Sequence, residues 1–260
     1  MKIAMVQMKV VSGDAAENRL RGLALAAEAA RQADVIVLPE IWTTGYGLRN
    51  IQTDAEDEAG PTFSGLKEIA VDQGVTIISG SIPLRRDGKI YNGLIVIDKS
   101  GKTIADYQKI HLFSLFQEAN FFAQGNQRCV FDLDGVTAGT VICYDLRFPE
   151  LIRAMAIDGM KILFAPAEWP AARGEHWRLM NQARAVENQI FVCAVNCVGE
   201  HKGSPFYGHS MLIDPNGKVL AEGSSEEEII IGEVDLTVLA AVRKNMTIWQ
   251  DRRPEMYGGD

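Results

Sequence analysis

The chain has 260 residues, of which 47% are hydrophobic and 23% are charged, as in ordinary globular proteins. Its net charge of −8 at pH 7 and its lack of a Lys/Arg-rich run exclude a nucleic acid or an anionic membrane as the expected partner. No apolar run reaches the ~18 residues of a membrane span, and the N-terminal segment lacks the features of a signal peptide. We therefore expect a cytoplasmic protein with a single domain over residues 1–260.

The first half of the chain alternates predicted strands and helices. Continuous apolar runs predict buried strands, and apolar residues at helical spacing predict amphipathic helices. In chain order these are a strand over 2–8, a helix over 15–32, a strand over 33–40, a helix over 63–73, a strand over 74–82 and a hairpin over 91–110.

The second half repeats this order. It predicts a strand over 136–145, a helix over 148–157, a strand over 160–169, a helix over 174–188, a strand over 188–198 and a hairpin over 209–223. The two hairpins, IVIDKSGKTIAD and MLIDPNGKVLAE, are also similar locally. This series predicts an α/β fold of two βαβ-containing halves, packed sheet against sheet with the helices outside.

One cysteine, Cys143 in GTVICYDLRFPE, lies where a strand gives way to helix-starting residues. Ligands of open α/β sheets collect at the carboxyl ends of the strands, and a helix N-terminus lowers the pKa of a nearby thiol. The position favours a reactive thiolate nucleophile. A cysteine packed as a small buried hydrophobe is the structural alternative.

Two further polar residues follow predicted core strands. Glu40 comes after VIVLP and Lys109 after TIADYQ, so both are expected at the same edge as Cys143. A thiol hydrolase needs a base, a group that stabilises an oxyanion and a proton source for the leaving amine, and these three side chains can fill those roles. Taken singly, Glu40 could cap a turn and Lys109 could be a surface lysine.

Four motifs together resemble the nitrilase, or carbon-nitrogen hydrolase, superfamily. They are LPE at 38–40, YQKIHLF at 107–113, GTVICYDLRFPE at 139–150 and HWRLMNQARAVENQ at 176–189. The resemblance covers essentially the whole chain. It implies a four-layer αββα sandwich with two mixed sheets and helices outside, which pairs across a helical face into a homodimer.

The resemblance also implies site residues. The catalytic triad would be Glu40, Lys109 and Cys143, and Glu118 in LFQEANFF matches a second glutamate that orients the lysine. In the implied mechanism Glu40 deprotonates Cys143, and the thiolate attacks an amide carbonyl. Lys109 and the backbone N–H of Tyr144 stabilise the oxyanion, ammonia leaves, and water hydrolyses the thioester.

Within the superfamily the chain looks most similar to the omega-amidase group, through TTGYGL at 43–48 and PAEWPAARGEHW at 166–177. Those enzymes hydrolyse the terminal amide of 2-oxo-dicarboxylic acid monoamides such as 2-oxoglutaramate. A guanidinium can bind the carboxylate of such a substrate bidentately, which favours Arg173, although a surface arginine is the alternative. Candidate pocket walls are the aromatic residues Tyr46, Phe116 and Trp169.

Other functions on this triad stay open at this point. A nitrilase, an N-carbamoyl amide hydrolase or a deaminated glutathione amidase would use the same groups, and a non-catalytic binding protein is the remote alternative. No HExxH motif, Cys/His cluster, GxGxxG motif or P-loop predicts a metal or another cofactor. The four cysteines contain no CxxC pair and are expected to stay reduced. Because the resemblance implies an amidase, the expected partner is a small-molecule amide.

Overall fold

A computed structural model describes residues 1–257, so the end of the predicted 1–260 domain lies outside the described residues. Its helices are α1 Ala15–Ala30, α2 Ile51–Asp54, α3 Pro61–Gln73, α4 Pro149–Ile157, α5 Gly174–Asn188 and α6 Thr237–Asn245. Its strands are β1 Lys2–Gln7, β2 Lys9–Val11, β3 Val35–Val37, β4 Thr76–Ile78, β5 Ile82–Arg86, β6 Lys89–Ile97, β7 Thr103–Gln108, β8 Cys129–Leu133, β9 Val136–Thr140, β10 Ile162–Ala167, β11 Phe191–Asn196, β12 Val198–His201, β13 Ser204–Pro205, β14 Met211–Ile213, β15 Val219–Glu222 and β16 Glu228–Glu233.

Two mixed sheets form the centre of the molecule. The first has the order β16-β1-β3-β4-β6-β5, with β7 also paired to β6, and the second has the order β15-β14-β11-β10-β9-β8. In each sheet three central strands are parallel and the flanking strands are antiparallel. Helices α1 and α3 pack on the first sheet, and α4 and α5 lie on the second. The fold is the four-layer αββα sandwich that the sequence predicts.

Strand β1 shows why the layers form. Its side chains alternate between two faces, so Ile3 and Met5 join the core between the sheets, whereas Ala4 and Val6 join the core beneath α1 and α3. All four are fully buried. A strand buried on both faces needs apolar residues at every position, which is what the continuous runs of the sequence supply.

The sequence did not reveal every element. Strand β16 comes from the second half of the chain, but it pairs with β1 and so belongs to the first sheet. Helix α6, strand β8 and a small sheet of β13, β12 and β2 were not predicted. None of the helices in residues 1–257 combines the length and apolar character that a membrane crossing requires.

Candidate active site

The predicted triad residues lie together at the carboxyl ends of three strands. Glu40 follows β3, Lys109 follows β7 and Cys143 follows β9. Glu40 and Lys109 are fully buried and Cys143 is 6% exposed. The Nζ atom of Lys109 lies 2.8 Å from Oε1 of Glu40, so the LPE and YQKIHLF motifs meet through an ion pair. The alternatives of a surface lysine and a glutamate that only caps a turn do not fit this burial.

Glu118 is the second partner of Lys109. The Nζ atom donates to its Oε1 over 2.8 Å, and the Tyr46 hydroxyl donates to the same oxygen over 2.7 Å. The other oxygen accepts a 2.8 Å hydrogen bond from the backbone N–H of Phe113. Burial raises the pKa of Glu118, while Lys109 partly lowers it. Burial alone would lower the pKa of Lys109, but the charges of Glu40 and Glu118 raise it, so the lysine is a cation.

Two residues that sequence reasoning missed hold Glu40. The side-chain amide of Asn92 donates to Oε1, and the backbone N–H of Glu168 donates to Oε2, each over 2.8 Å. Asn92 is a polar residue inside the apolar run YNGLIVI, and Glu168 follows a fully buried strand. A polar residue within a buried strand was the signal available for Asn92, whereas the contact from Glu168 comes from its backbone and leaves no such signal. Together these bonds orient the carboxylate.

Cys143 begins a short 3-10 turn, Cys143–Arg147, with a backbone φ of +47°. This left-handed conformation is costly for a residue with a Cβ, and such strain concentrates at functional sites. The sequence predicted a lowered pKa for the Cys143 thiol, and that prediction was wrong. Burial and the negative charge of Glu40 raise the pKa of Cys143, although Lys109 opposes them. The thiol therefore keeps its proton until a base removes it.

Asp145 fixes the turn that carries Cys143. Its carboxylate accepts hydrogen bonds from the Tyr107 hydroxyl at 2.7 Å, the His111 backbone at 2.9 Å and the Ile142 backbone at 3.0 Å. The Nδ1 atom of His111 lies 2.8 Å from the same carboxylate. Since Tyr107 and His111 flank Lys109, this buried aspartate joins the cysteine turn to the lysine segment and sets their separation.

Beside Cys143 is a narrow cavity that contains two guanidinium groups. It is lined by Phe113, Cys143, Tyr144, Arg147, Glu168, Trp169, Pro170 and Arg173. The Arg147 guanidinium lies 4.7 Å from the centre of the Trp169 ring. Burial lowers the pKa of Arg147, and the positive charge of Arg173 lowers it further. The cavity thus brings together the predicted residues Tyr144, Trp169 and Arg173 and adds Arg147.

Tyr46 and Phe116, the other two predicted wall residues, lie behind Glu118 and not in this cavity. Their rings meet edge-on with 4.5 Å between centres, and they line a neighbouring groove with His201 and Lys202. Tyr46 acts on the site through its hydrogen bond to Glu118. Their role as walls of the substrate pocket stays a prediction.

The sequence that forms this site, a buried carboxylate beside a lysine and a cysteine, also matches a known family. The carbon-nitrogen hydrolase model matches residues 2–244, and the chain belongs to the carbon-nitrogen hydrolase, or nitrilase, superfamily. It is 42% identical to 2-oxoglutaramate amidase of Bacillus subtilis (strain 168) over 98% of both chains. It is 34% identical to the mouse omega-amidase NIT2, over 98% of this chain and 96% of the relative.

Solved structures agree with this assignment. The XC1258 protein of Xanthomonas campestris, a CN-hydrolase superfamily protein with an arsenic adduct in its active site, superimposes with a TM-score of 0.91 and 32% identity over 97% of both chains. Nit3 of Saccharomyces cerevisiae gives a TM-score of 0.89 and 30% identity, over 97% of this chain and 96% of that one. The chain is therefore an amidase that hydrolyses carbon–nitrogen bonds of amides.

Proposed function

We propose that the chain is an omega-amidase that hydrolyses the terminal amide of 2-oxo-dicarboxylate monoamides such as 2-oxoglutaramate. The observation that carries this proposal is the pair of guanidinium groups, Arg147 and Arg173, in the cavity beside Cys143. A substrate whose amide lies at Cys143 and whose far end is a carboxylate suits that pair, because guanidinium groups bind carboxylates bidentately. The likeness to 2-oxoglutaramate amidase and omega-amidases supports the same substrate class.

In the proposed reaction Glu40 takes the thiol proton of Cys143 as the sulfur attacks the amide carbonyl. The high pKa of the free thiol makes such a base necessary. Lys109 and the backbone N–H of Tyr144, at the start of the 3-10 turn, stabilise the oxyanion. Glu40 then gives the proton to the departing nitrogen and ammonia is released.

The second half of the proposed reaction hydrolyses the thioester. Glu40 removes a proton from water, the hydroxide attacks the acyl carbonyl, and the acid product leaves as the thiol is restored. Glu118 holds Lys109 in place through its 2.8 Å ion pair. Because Glu40 and Lys109 are anchored, their charged groups keep the same positions relative to Cys143 in both halves of the reaction. Holding catalytic groups in place in this way lowers the entropic part of the barrier.

The substrate is tested by ammonia release from 2-oxoglutaramate, glutamine, a nitrile, an N-carbamoyl amino acid, deaminated glutathione and propionamide. We expect 2-oxoglutaramate to have the highest kcat/KM. Arg173→Ala removes a charge-assisted contact, so kcat/KM for 2-oxoglutaramate should fall by about 10- to 100-fold, the equivalent of roughly 1.5–3 kcal/mol. Turnover of propionamide, which has no carboxylate, should be unchanged.

The matched control is Arg178→Ala, which removes an arginine of helix α5 that pairs with Glu222 away from the cavity. It should leave the substrate preference unchanged. If Arg173→Ala kept the wild-type kcat/KM for 2-oxoglutaramate, the proposed carboxylate contact would be wrong. If 2-oxoglutaramate were a poorer substrate than the other amides, the proposed substrate class would be wrong.

We also propose a homodimer that pairs through helices α4 and α5, which pack on each other. Ile157 of α4 is 50% exposed, and Leu179 and Val186 of α5 are 68% and 48% exposed. Three such side chains on two helices that pack on each other support this face as the interface.

The four cysteines are all free thiols, which supports the cytoplasm as the compartment.

Sedimentation velocity tests the dimer. Leu179→Glu places a charge in the proposed apolar interface and should shift the protein from dimer to monomer, because a buried unpaired charge is costly. Leu20→Glu is the matched control, since Leu20 is 69% exposed on α1, in the opposite helical layer. It should leave the dimer intact. A wild-type protein that sediments as a monomer would contradict this assembly.

A further inference from the structure

Glu168 is a buried carboxyl group for which the proposed mechanism has no use. It is 1% exposed, and within residues 1–257 neither of its oxygens makes a hydrogen bond of regular geometry, although the Cys197 thiol lies beside it. Buried polar atoms are almost always paired, because an unpaired one loses its hydration without compensation. Glu168 therefore carries unused hydrogen-bonding capacity in the interior.

The position of Glu168 connects it to the chemistry. Its backbone N–H donates to Oε2 of Glu40 over 2.8 Å, and the residue lines the same cavity as Cys143. A Cβ atom at Gly45 would lie 3.3 Å from its Oε1, so a side chain at that position would crowd the carboxyl. Glu168 thus lines the cavity that contains Cys143, and its backbone contacts the carboxylate proposed as the base.

Charge balance sets the protonation state of Glu168. The titratable groups around this centre are Glu40, Tyr46, Lys109, Glu118, Cys143 and Cys197. Lys109 is the cation that faces the carboxyls, and it already forms ion pairs with Glu40 and Glu118. Burial and the charge of Glu40 raise the pKa of Glu168 well above its usual value. Burial beside carboxylates that already share one cation therefore favours the protonated form of the third carboxyl.

We propose that Glu168 is the proton donor that converts the released ammonia to ammonium. Glu40 first delivers a proton to the departing nitrogen, and the C–N bond breaks to give ammonia. Glu168 then transfers its carboxyl proton to ammonia and becomes a carboxylate. When water has cleaved the thioester, the carboxylic acid product loses its proton, which returns to Glu168. The sum is amide plus water giving carboxylate plus ammonium.

This step matters because ammonia can attack the thioester and re-form the amide, whereas ammonium has no lone pair and cannot. Glu168 thereby lowers the rate at which ammonia reverses acylation. The inference deepens the proposed function and rests on its thioester intermediate. It does not depend on the identity of the acyl group, so any amide that the enzyme hydrolyses serves for the test.

The test compares an amide with the methyl ester of the same acid, using wild type and Glu168→Gln. Glutamine keeps the size of the side chain and its lack of charge but cannot transfer the proton. We expect kcat for the amide to fall, because ammonia that keeps its lone pair returns part of the thioester to the amide. Ester hydrolysis should stay near wild type, since methanol needs no second proton. Glu168→Asp retains the acid and should recover part of the amide turnover.

A second measurement follows labelled ammonia into unreacted amide during turnover. Glu168→Gln should incorporate the label faster relative to hydrolysis than wild type, because its ammonia stays nucleophilic. A purely structural role would lower ester and amide turnover together and leave the exchange ratio unchanged, which would overturn the inference. If 2-oxoglutaramate were not hydrolysed but the ratios changed on another amide, the substrate proposal would fail and this inference would stand.

Discussion

Cys143→Ala is expected to abolish ammonia release, with kcat falling by a factor on the order of 10⁶, the loss that follows removal of a hydrolase nucleophile. The thiol lies at the end of β9 beside Glu40 and Lys109, and no other side chain of the triad can form a thioester. Ammonia release from the best amide substrate measures the effect. Thermal unfolding of the same sample should show a folded protein, because the substitution removes one sulfur atom.

Cys193→Ala is the matched control for this substitution. Cys193 is also buried and free, but it lies within strand β11 and packs in the core. It should lose some stability and keep its kcat. In wild type, acid quenching during turnover followed by mass spectrometry of peptides should find the acyl group on the peptide that contains Cys143.

If Cys143→Ala kept turnover near that of wild type, the thioester would not be on the reaction path. The role of Glu40 would then change from base for a thiol to base for water, and the raised pKa of Cys143 would be that of an inert buried thiol.

The position of the triad could be predicted from the sequence because it depends on a simple rule. Glu40 and Cys143 each follow a strand with a continuous apolar run, and ligands of α/β sheets collect at the carboxyl ends of such strands. Lys109 follows the mixed strand TIADYQ, and the packing of the two sheets brings Cys143 to the other two residues. Glu118 was predicted only through the family resemblance, since it lies on a loop without periodicity. Its ion pair with Lys109 depends on the fold of the loop between them.

Other features depend on contacts between distant segments, which no local pattern contains. Asn92 and Glu168 are 52 and 128 residues away from the Glu40 carboxylate that they contact. Strand β16 pairs with β1 across nearly the whole chain, so the sequence order of the halves could not reveal it. The thiol pKa was mispredicted because the helix argument considered one nearby element, whereas desolvation depends on every group that covers Cys143.

Lys109→Met is expected to cost both activity and stability, because it removes the cation that neutralises Glu40 and Glu118. Loss of an oxyanion donor lowers kcat by about 10²–10³-fold. Breaking a buried ion pair on one side costs about 3–5 kcal/mol in unfolding free energy, since uncompensated carboxylates stay in the core. Ammonia release and denaturant unfolding measure the two effects separately.

The stability of Lys109→Met should depend on pH in a defined direction. Burial already raises the pKa of Glu118, and without the lysine, which lowers it, that pKa rises further above the unfolded value of about 4.3. A carboxyl with a raised pKa in the folded state contributes stability below its unfolded pKa. That contribution disappears as the pH rises through the folded pKa. The variant should therefore approach wild-type stability near pH 4 and diverge from it as the pH rises.

Lys109→Met combined with Glu118→Gln separates charge balance from catalysis. Glutamine removes one negative charge while keeping the size of the side chain, so the double variant should regain much of the stability that Lys109→Met loses at neutral pH. Its ammonia release should stay as low as in Lys109→Met, because the oxyanion still lacks its cation. Recovery of turnover together with stability would mean that Lys109 serves only to neutralise the two glutamates, and the proposed contact with the oxyanion would have to be abandoned.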